Sequence, residues 1–336
     1  MNSRQIEIIF RSGRFPHPFT NRKLVETHIS YVILGNSLVY KFKKEIKYSF
    51  LDFSTLKKRK FYCEREVLLN NRFSKGVYLA VVPVRQKRNE IYIDGPDGKI
   101  IDYAVKMKRL KESSQMHLML EKKQVKRNHI QALASLIRDF HDRAEVIHTP
   151  FQPNTFSSRF NDLLSVTDFI KPALGATWAK TIKKAVLLSD QFLKRHHDLF
   201  IQRIERGFIR DCHGDLHSRN IFLYRSPILF DCLEFNDAFR KMDVLDEIAF
   251  FCMDLEAEGF YRLSKDFTDY YFYRDKKSFG PREQLLFTYY KSYRANVRAK
   301  VNALRAMKAE GAQRIKNLDD VKKYLTLMEN YLESFQ

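Results

Sequence analysis

At 336 residues, the chain is long enough to bury a sizeable core and to form two domains, or two lobes around a cleft. Its hydrophobic fraction of 44% and aromatic fraction of 14% are typical of a folded globular protein and exclude a low-complexity or disordered chain. The formal net charge of +20 favours an anionic partner, such as a nucleotide, nucleic acid, phosphorylated metabolite or acidic membrane face, but it equally fits ordinary solubility.

Cysteine usage and targeting signals bear on the compartment. The four cysteines include no Cys-x-x-Cys pair, and an even count in a chain of this length does not indicate a disulfide framework. The apolar run at residues 6–10 is too short for a signal peptide, and no run approaches the length of a membrane span. We therefore expect a reduced, cytoplasmic protein without a transmembrane segment.

The first hundred residues alternate short β-prone runs with turn signals. A short helix is predicted over residues 2–12 and a longer one over residues 54–73. Strands are predicted at residues 24–26, 31–34, 38–44, 77–84, 90–93 and 101–107. This pattern indicates a small, mostly β lobe with one main helix. We expect it to occupy residues 1–108, with its connection to the next lobe at residues 106–111.

Two lysines in the third predicted strand are candidates for holding nucleotide phosphates. Lys41 and Lys43 share a strand face, because side chains two residues apart point the same way. A kinase uses such a lysine to hold ATP phosphates, and a glutamate on the next helix to fix the ammonium group. We choose Lys41 over Lys43, and Glu66 over Glu64 because Glu66 borders the apolar face of its helix. The alternative is a solvated lysine on an edge strand and a surface carboxylate.

From about residue 112 the apolar spacing becomes helical. The clearest 3.6-residue stripe is formed by Ile130, Leu133, Ala134, Ile137 and Phe140. His141 follows this stripe and is expected to be a core-edge histidine rather than a metal ligand. Further helices are predicted at residues 157–206, which hold two or three of them, and at 243–258, 282–308 and 317–335. We expect residues 109–336 to form a second, larger and mostly helical lobe.

The candidate chemistry is concentrated in one stretch of the second half of the chain. Asp215 is followed five residues later by Asn220, and Asp231 ends a short apolar run eleven residues further on. The residues between Asn220 and Asp231 predict a hairpin that brings these two side chains together. Carboxylate and amide oxygens suit Mg²⁺, and a further carboxylate can orient an acceptor hydroxyl during phosphoryl transfer. We therefore expect Asp215 to be catalytic and Asn220 and Asp231 to bind metal, with His213 supporting the loop through hydrogen bonds.

The central motif resembles that of the aminoglycoside phosphotransferase-like branch of the protein-kinase-like fold, in which glycine replaces the arginine of the protein-kinase His-Arg-Asp. The residues that carry the resemblance are His213-Gly214-Asp215-Leu216-His217-Ser218-Arg219-Asn220 and Asp231. Segments that look like those of a largely uncharacterised bacterial subgroup of this family are residues 26–30, 40–44, 51–56 and 231–236. The resemblance spans about residues 20–310.

This resemblance implies a fold and a set of roles. The implied fold is α+β and protein-kinase-like, with a small antiparallel-β N-terminal lobe that carries one main helix and binds ATP. The larger, mostly helical C-terminal lobe serves catalysis and substrate binding. By the family pattern, Asp215 is the catalytic aspartate and Asn220 and Asp231 bind Mg²⁺. Asp243 and Asp246 match the start of a helix that braces the catalytic loop.

Three features depart from the family pattern. No Gly-x-Gly-x-x-Gly nucleotide loop is present, and residues 27–30 stand in its place. No Gly-x(4)-Gly-Lys-Ser/Thr motif is present, so the additional P-loop ATP-binding domain of some subgroup members is not expected here. A net charge of +20 matches a polycationic aminoglycoside poorly and favours a small hydroxylated acceptor that is anionic.

The leading hypothesis is an ATP- and Mg-dependent phosphotransferase that moves the γ-phosphate to a hydroxyl of a small molecule. Transfer of a nucleotidyl group stays open. The alternative is a noncatalytic kinase-like binding protein for nucleic acid or a protein partner, although no specific nucleic-acid motif is present. A protein kinase is disfavoured by Gly214 and by the lack of a recognisable activation segment between Asp231 and Asp243.

A basic helix face near the C-terminus is a further candidate for anion binding. Its members recur at helical spacing and are Lys291, Arg294, Arg298 and Arg305. The alternatives are a wall of the substrate cleft and an ordinary solvated face, of which we favour the second.

Overall fold

The computed structural model of the protein describes residues 1–48, 51–275 and 279–335. The α-helices in these residues are α1 (Ser3–Ser12), α2 (Leu56–Asn70), α3 (Met116–Glu121), α4 (Arg127–Arg143), α5 (Pro153–Asn161), α6 (Thr167–Leu174), α7 (Ala176–Arg195), α8 (His197–Glu205), α9 (Val244–Ala257), α10 (Tyr261–Tyr271), α11 (Pro281–Lys308) and α12 (Gly311–Glu333). The β-strands are β1 (Lys23–Glu26), β2 (Ser30–Leu34), β3 (Leu38–Lys43), β4 (Lys47–Tyr48), β5 (Leu51–Asp52), β6 (Tyr78–Lys87), β7 (Glu90–Ile93), β8 (Lys99–Lys108), β9 (Ile209–Asp211), β10 (Ile221–Phe222), β11 (Ile228–Leu229) and β12 (Lys241–Asp243). The chain divides into two compact units, Met1–Gln124 with Arg219–Arg240, and Val125–Ser218 with Lys241–Gln336.

The first unit is built on a six-stranded antiparallel sheet. Its strand order is β1-β2-β3-β8-β6-β7. Successive side chains of a strand point to opposite faces, so Tyr40 and Phe42 of β3 pack into an apolar cluster with α1, while Val39 packs into a second cluster on the other face. Helix α2 covers this second face, against β6 and β8. Lys41 and Lys43 share the face of Val39 and therefore lie under α2.

A late segment of the chain completes the first unit. Strands β10 and β11 pair as an antiparallel hairpin, as the sequence predicts. The hairpin is held to much earlier residues of the same unit. Leu223 N–H donates to the Ser114 carbonyl at 2.7 Å, and Asp231 N–H donates to the Tyr78 hydroxyl at 3.1 Å. The first unit is therefore assembled from two stretches that are far apart in sequence.

The compact units divide the chain differently from the lobes predicted at residues 1–108 and 109–336. Residues 109–124 and 219–240 belong to the unit that contains the sheet. The hydrogen bonds of the hairpin are long-range in sequence, and a local pattern cannot foresee them. The lobe boundary stays a prediction.

The second unit is mostly helical, with α9 packed against α10, α11 and α12. Every residue of α9 from Val244 to Leu255 is buried, as expected for a helix that is apolar around most of its circumference. The apolar core beside it gathers side chains from α5, α6, α7, α11 and α12. Strands β9 and β12 pair antiparallel, with Asp211 opposite Lys241, and this pairing places the start of the central motif beside the start of α9.

The predicted fold class is confirmed, since an antiparallel sheet with one main helix is followed by a mostly helical remainder. Helices α3 and α10 lie outside the predicted ones. The region predicted to hold two or three helices, residues 157–206, holds α5 to α8, and α5 begins at Pro153 because proline is tolerated in the first turn of a helix. Across residues 1–48, 51–275 and 279–335, none of the helices is both long and apolar enough to cross a membrane.

Candidate active site

The first unit contains a row of charged side chains on the sheet face covered by α2. Lys41 Nζ lies 2.7 Å from Glu66 Oε1 and 2.7 Å from Asp231 Oδ1. Lys43 Nζ lies 2.8 Å from Glu66 Oε2 and also donates to Glu234 Oε1. Both oxygens of Glu66 are therefore occupied, and acid and base alternate in the order Asp231, Lys41, Glu66, Lys43, Glu234. We call these five residues the charged row.

The charged row is closed to solvent at one end and open at the other. The exposed fraction of the side chain is 0% for Glu66, 1% for Lys43 and 4% for Glu234. It rises to 10% for Lys41 and 40% for Asp231. A ligand arriving from solvent would therefore reach Asp231 and Lys41 first, while Lys43 and Glu234 stay inside the protein.

Mutual pairing keeps Lys41 and Glu66 ionised despite their burial. Burial alone raises the pKa of Glu66, but Lys41 and Lys43 outweigh it and lower that pKa to about 2. Burial alone lowers the pKa of Lys41, but the carboxylates of Asp231 and Glu66 raise it well above the ordinary lysine value. Burial raises the pKa of Glu234, and Lys43 opposes that shift. At neutral pH, Lys41 and Glu66 thus form an ion pair.

The predicted alternatives in this region have distinct positions. Glu66 contacts both lysines, whereas Glu64 is exposed and lies 3.6 Å from Lys60 on its own helix. Lys43, the second choice to Lys41, binds the other oxygen of Glu66 at the closed end of the charged row. The structure therefore brings together Lys41, Glu66 and Asp231, keeps the second choice Lys43 beside them, and adds Glu234.

Helix α2 is fastened to the segment that carries Asp231. The Asn70 side chain accepts a hydrogen bond from Cys232 N–H at 2.9 Å, and the Ser74 hydroxyl donates to the Leu229 carbonyl. Arg65, beside Glu66, donates to the Glu234 carbonyl at 3.0 Å. Two of these contacts come from α2 and one from Ser74, just after it, so the helix and residues 229–234 form one hydrogen-bonded structure.

Asn220 and Asp231 lie at the same end of the β10–β11 hairpin. The Phe230 N–H donates to the Asn220 carbonyl at 2.9 Å, and Asp231 follows directly. Asp231 has a φ of 61°, a left-handed conformation that is uncommon outside glycine and is often found at functional sites. The carboxylate of Asp231 and the carboxamide of Asn220 offer oxygen ligands, the type that Mg²⁺ prefers. Asn220 and Asp231 are therefore the residues that would hold such an ion.

The second unit contains Asp215, in a loop whose backbone is bound by a buried carboxylate. Glu247 Oε1 accepts hydrogen bonds from the backbone N–H groups of His213 and Gly214, both at 2.7 Å. Gly214 has a φ of +88°, which glycine adopts readily. The Asp215 N–H donates weakly to His213 Nδ1 at 3.4 Å, so His213 supports the loop by hydrogen bonding as predicted. Glu247 is thus the main anchor of this loop.

Asp215 itself is partly open to solvent and ionised. Its side chain is 40% exposed, and Oδ2 lies 3.4 Å from His217 Nε2. Burial of the carboxylate would raise its pKa, but His217 and His213 more than compensate and hold the pKa below the usual range. Ser218 N–H donates to Asp254 Oδ2 at 2.8 Å, which fixes the far end of the loop to α9. An ionised, accessible carboxylate can accept a hydrogen bond from an acceptor hydroxyl.

His141, Cys212 and Glu247 form a buried cluster whose potential ligand atoms lie within 4.8 Å of one another. Hydrogen bonds already occupy the imidazole, since Nε2 lies 2.8 Å from Glu247 and Nδ1 lies 2.7 Å from the Tyr271 hydroxyl. Burial raises the pKa of the Cys212 thiol well above its ordinary value, so the metal-binding thiolate is disfavoured. We interpret the cluster as a structural hydrogen-bond network that orients Glu247, with His141 fully buried rather than at the edge of the core.

Helix α9 braces the loop that carries Asp215, but not through the two aspartates at the start of the helix. Asp243 caps the helix and pairs with Arg203 through two contacts of 2.6 and 2.8 Å. Asp246 pairs with Arg294 at 2.6 and 2.9 Å. These aspartates fasten α9 to α8 and α11, whereas the loop is bound by Glu247.

The expectation of a solvated basic face on α11 is wrong for two of its members. Arg294 is buried and bound to Asp246, and Lys291 donates to Glu256 at 3.1 Å. Both partners are on α9, whose carboxylates are buried and need cations. Arg298 is half-buried and donates to a tyrosine hydroxyl, while Arg305 is exposed. Two of the four residues of this face, Lys291 and Arg294, therefore hold α9 and α11 together.

The important residues that the sequence does not nominate are Glu234 and Glu247. Glu234 follows Asp231 by three residues, and Glu247 follows Asp246 and precedes a long apolar run in the same helix. A carboxylate beside such a run is a signal, since charged residues are rarely fully buried unless they are paired. The partners lie too far along the chain for spacing to reveal them.

Comparison with known proteins gives relatives of unknown activity. None of the protein-family models matches the chain. Three curated proteins, from Mycobacterium bovis and two strains of Mycobacterium tuberculosis and each described as uncharacterised, are 31% identical over 297 residues. The match covers 86% of this chain and 57% of each relative, so the chain spans little more than half the length of these relatives.

Solved structures give the fold. A choline kinase from Cryptosporidium parvum Iowa II matches with a TM-score of 0.55 and 10% identity, over 94% of this chain and 90% of that one. A choline/ethanolamine kinase family protein from Mesorhizobium loti matches with 0.54 and 13%, over 98% and 100%. A thermostable mutant of the aminoglycoside phosphotransferase APH(4)-Ia matches with 0.51 and 12%, over 94% and 95%. The chain therefore has the kinase-like fold of these proteins, and the resemblance found in the sequence is confirmed at that level.

Proposed function

We propose that the protein is an ATP- and Mg²⁺-dependent phosphotransferase that moves the γ-phosphate of ATP to a hydroxyl group of a small molecule. The observation that carries this proposal is the pairing of Lys41 with Glu66 and Asp231 in a row that opens to solvent at Asp231. Catalysis of phosphoryl transfer consists mainly of positioning and charge stabilisation. A lysine held by a buried glutamate, beside a carboxylate that can bind metal, supplies both.

The first unit would bind the nucleotide. Lys41 would donate to the phosphates while Glu66 holds its ammonium group. Asn220 and Asp231 would hold Mg²⁺, which in phosphoryl transfer neutralises charge on the phosphates. The backbone of residues 106–111, at the end of β8, is proposed to contact the adenine.

Asp215 would act on the acceptor. Its carboxylate is ionised and accessible, and its loop is fixed by Glu247 and Asp254, so it can hold a hydroxyl in one orientation. In a loose transition state the hydroxyl proton leaves late, so the main contribution of Asp215 is orientation, followed by acceptance of the proton.

The acceptor is proposed to be a small hydroxylated molecule, and the net charge of +20 favours an anionic one. The solved proteins of this fold are named for choline, ethanolamine and aminoglycosides, which are all small hydroxylated compounds. The cysteines are free and buried, which suits the reducing cytoplasm as the site of action.

The test has a binding step and a turnover step. Purified protein is first assayed for Mg-ATP binding, and then for ATP consumption with sugars, nucleosides, phosphorylated metabolites and aminoglycosides. We expect ADP as the product with at least one acceptor class, whereas pyrophosphate would identify nucleotidyl transfer instead. Asp215→Ala should abolish acceptor-dependent turnover and keep both the fold and Mg-ATP binding.

The matched control is Asp198→Ala. Asp198 is exposed and pairs with Arg282 at the surface of the second unit, so its loss should leave turnover unchanged. Undiminished turnover by Asp215→Ala would refute its catalytic role. Wild-type protein that fails to bind Mg-ATP, but binds RNA with a steep dependence on salt, would favour the noncatalytic alternative.

A further inference from the structure

The closed end of the charged row has no evident role in holding a ligand, because its side chains do not reach solvent. Lys43 is 1% exposed and Glu234 is 4% exposed, yet the two form a salt bridge inside the first unit. Burying such groups is costly unless they are paired with each other. Even then, replacing a buried ion pair by apolar residues is often neutral for stability. Their presence beside Glu66 therefore calls for a reason other than stability.

The contacts of Glu66 supply such a reason. Glu66 has two carboxylate oxygens, of which Oε1 binds Lys41 and Oε2 binds Lys43. A carboxylate held at one oxygen can rotate, whereas a carboxylate held at both oxygens has a fixed plane. Lys43 is in turn held by Glu234, whose backbone carbonyl binds Arg65 of α2.

The orientation of Lys41 would depend more strongly on Glu66 once a ligand is bound. In the structure, Lys41 has two carboxylate partners, Glu66 and Asp231. If Asp231 turns to a metal ion, as the proposed function requires, Lys41 keeps Glu66 as its carboxylate partner. The direction of the lysine then depends on how firmly Glu66 is held.

We propose that Lys43 and Glu234 are positioning residues of the nucleotide site, which fix the carboxylate of Glu66 so that Lys41 stays directed at the phosphates. This inference rests on the proposed function, since it assigns the pair a role toward a bound nucleotide. Neither residue touches the ligand. Their contribution passes through Glu66 and Lys41, in the order in which the charged row is connected.

The test separates positioning from charge balance. The charged row has three carboxylates and two ammonium groups, so its formal charge is −1. Lys43→Met removes one ammonium and leaves −2. The double variant Lys43→Met/Glu234→Gln removes one charge of each sign and restores −1, but it leaves Glu66 Oε2 without the lysine. Lys44→Met is the control, since Lys44 is the next residue and pairs with exposed Glu26.

Two quantities are measured on each variant: the thermal unfolding temperature without ligand and the dissociation constant for Mg-ATP. We expect Lys43→Met to lower the unfolding temperature and to weaken Mg-ATP binding at least tenfold. The double variant should recover most of the loss in unfolding temperature. It should still bind Mg-ATP at least tenfold more weakly than wild type. Lys44→Met should bind within about twofold of wild type.

Recovery of both quantities in the double variant would overturn the proposal, because charge balance alone would then explain the pair. Wild-type affinity in Lys43→Met would overturn it as well. If neither Lys43 variant folds, Glu234→Gln is measured instead. The proposal predicts that this variant binds Mg-ATP about threefold more weakly than wild type, or weaker still. Wild-type affinity in Glu234→Gln would overturn the proposal. Failure of the proposed function is seen separately, since the wild-type protein and Lys44→Met would then not bind Mg-ATP at all.

Discussion

Replacing Glu247 by glutamine should loosen the loop that carries Asp215 without changing the shape of the site. The carboxylate accepts two backbone hydrogen bonds at 2.7 Å and contacts His141 at 2.8 Å. Glutamine keeps an oxygen for the two N–H groups and places its amide toward His141, whose ring can take the tautomer that accepts this bond while Nδ1 donates to Tyr271. The substitution therefore removes the negative charge and little else.

The size of the expected loss in stability follows from the removal of the negative charge of Glu247. A hydrogen bond to a charged group contributes about 1.5–3 kcal/mol, whereas a neutral one contributes about 0.5–1.5 kcal/mol. Each of the two backbone bonds should thus weaken by about 1 kcal/mol, and we expect Glu247→Gln to lower the free energy of unfolding by about 2 kcal/mol. Acceptor-dependent turnover should fall too, while Mg-ATP binding should persist, because the proposed nucleotide ligands are in the first unit.

Urea titrations at pH 7 measure the change, with Glu258→Gln as the matched control. Glu258 follows the same helix, is exposed and lies 2.9 Å from Lys323, so its substitution should change the free energy of unfolding by less than about 0.5 kcal/mol. An unchanged free energy of unfolding in Glu247→Gln would refute the assignment of Glu247 as the anchor of the loop.

The pH dependence gives a second check. Burial acts to raise the pKa of Glu247, but His141 and His213 overcome it and the pKa lies below the ordinary value of 4.5. A lowered carboxyl pKa stabilises the folded state above the unfolded-state value, and this contribution is lost as the pH falls through the folded-state value. The difference between wild type and Glu247→Gln should therefore shrink as the pH is lowered below 4.5. A difference that widens instead would contradict the sign of the shift.

Two other substitutions test the surroundings of this loop. Gly214→Ala should lower the free energy of unfolding by about 1–2 kcal/mol, because the φ of +88° is unfavourable for an L-residue, and a urea midpoint equal to that of wild type would argue against this conformation. Arg203→Met should lower it by about 3–5 kcal/mol, because it leaves Asp243 buried without its guanidinium partner. Adding Asp243→Asn should recover part of that loss, and a double variant less stable than Arg203→Met would speak against an uncompensated charge as the cause.

The parts of the fold that the sequence predicts well are those set by short-range periodicity. Alternation along β3 correctly puts Lys41 and Lys43 on one face, and the apolar spacing of α2 correctly favours Glu66 over Glu64 as the buried residue. The hairpin between Asn220 and Asp231 is predicted for the same reason, since both of its strands and its turn are contained in a dozen residues.

What the sequence misses depends on contacts between distant residues. Lys43 and Glu234 are 191 positions apart, and no local pattern indicates that they meet. The basic residues of α11 look like a solvated face until the buried carboxylates of α9 are placed beside them. Helix α10 lies outside the predicted helices, although its buried positions Ser264, Phe267 and Tyr271 recur at helical spacing.

The division of the first unit between two stretches has a consequence for biosynthesis. On the ribosome, Lys43 emerges 191 residues before Glu234, an interval of roughly 10 to 40 seconds at about 5–20 residues per second. During this interval Lys41, Lys43 and Glu66 carry two positive charges against one negative charge, and Asn70 lacks the backbone N–H of Cys232. The second unit also needs residues after 240. Neither unit can therefore be completed before synthesis of the other has begun. A fragment released at residue 124 would lack residues 219–240, the segment that closes its own interior.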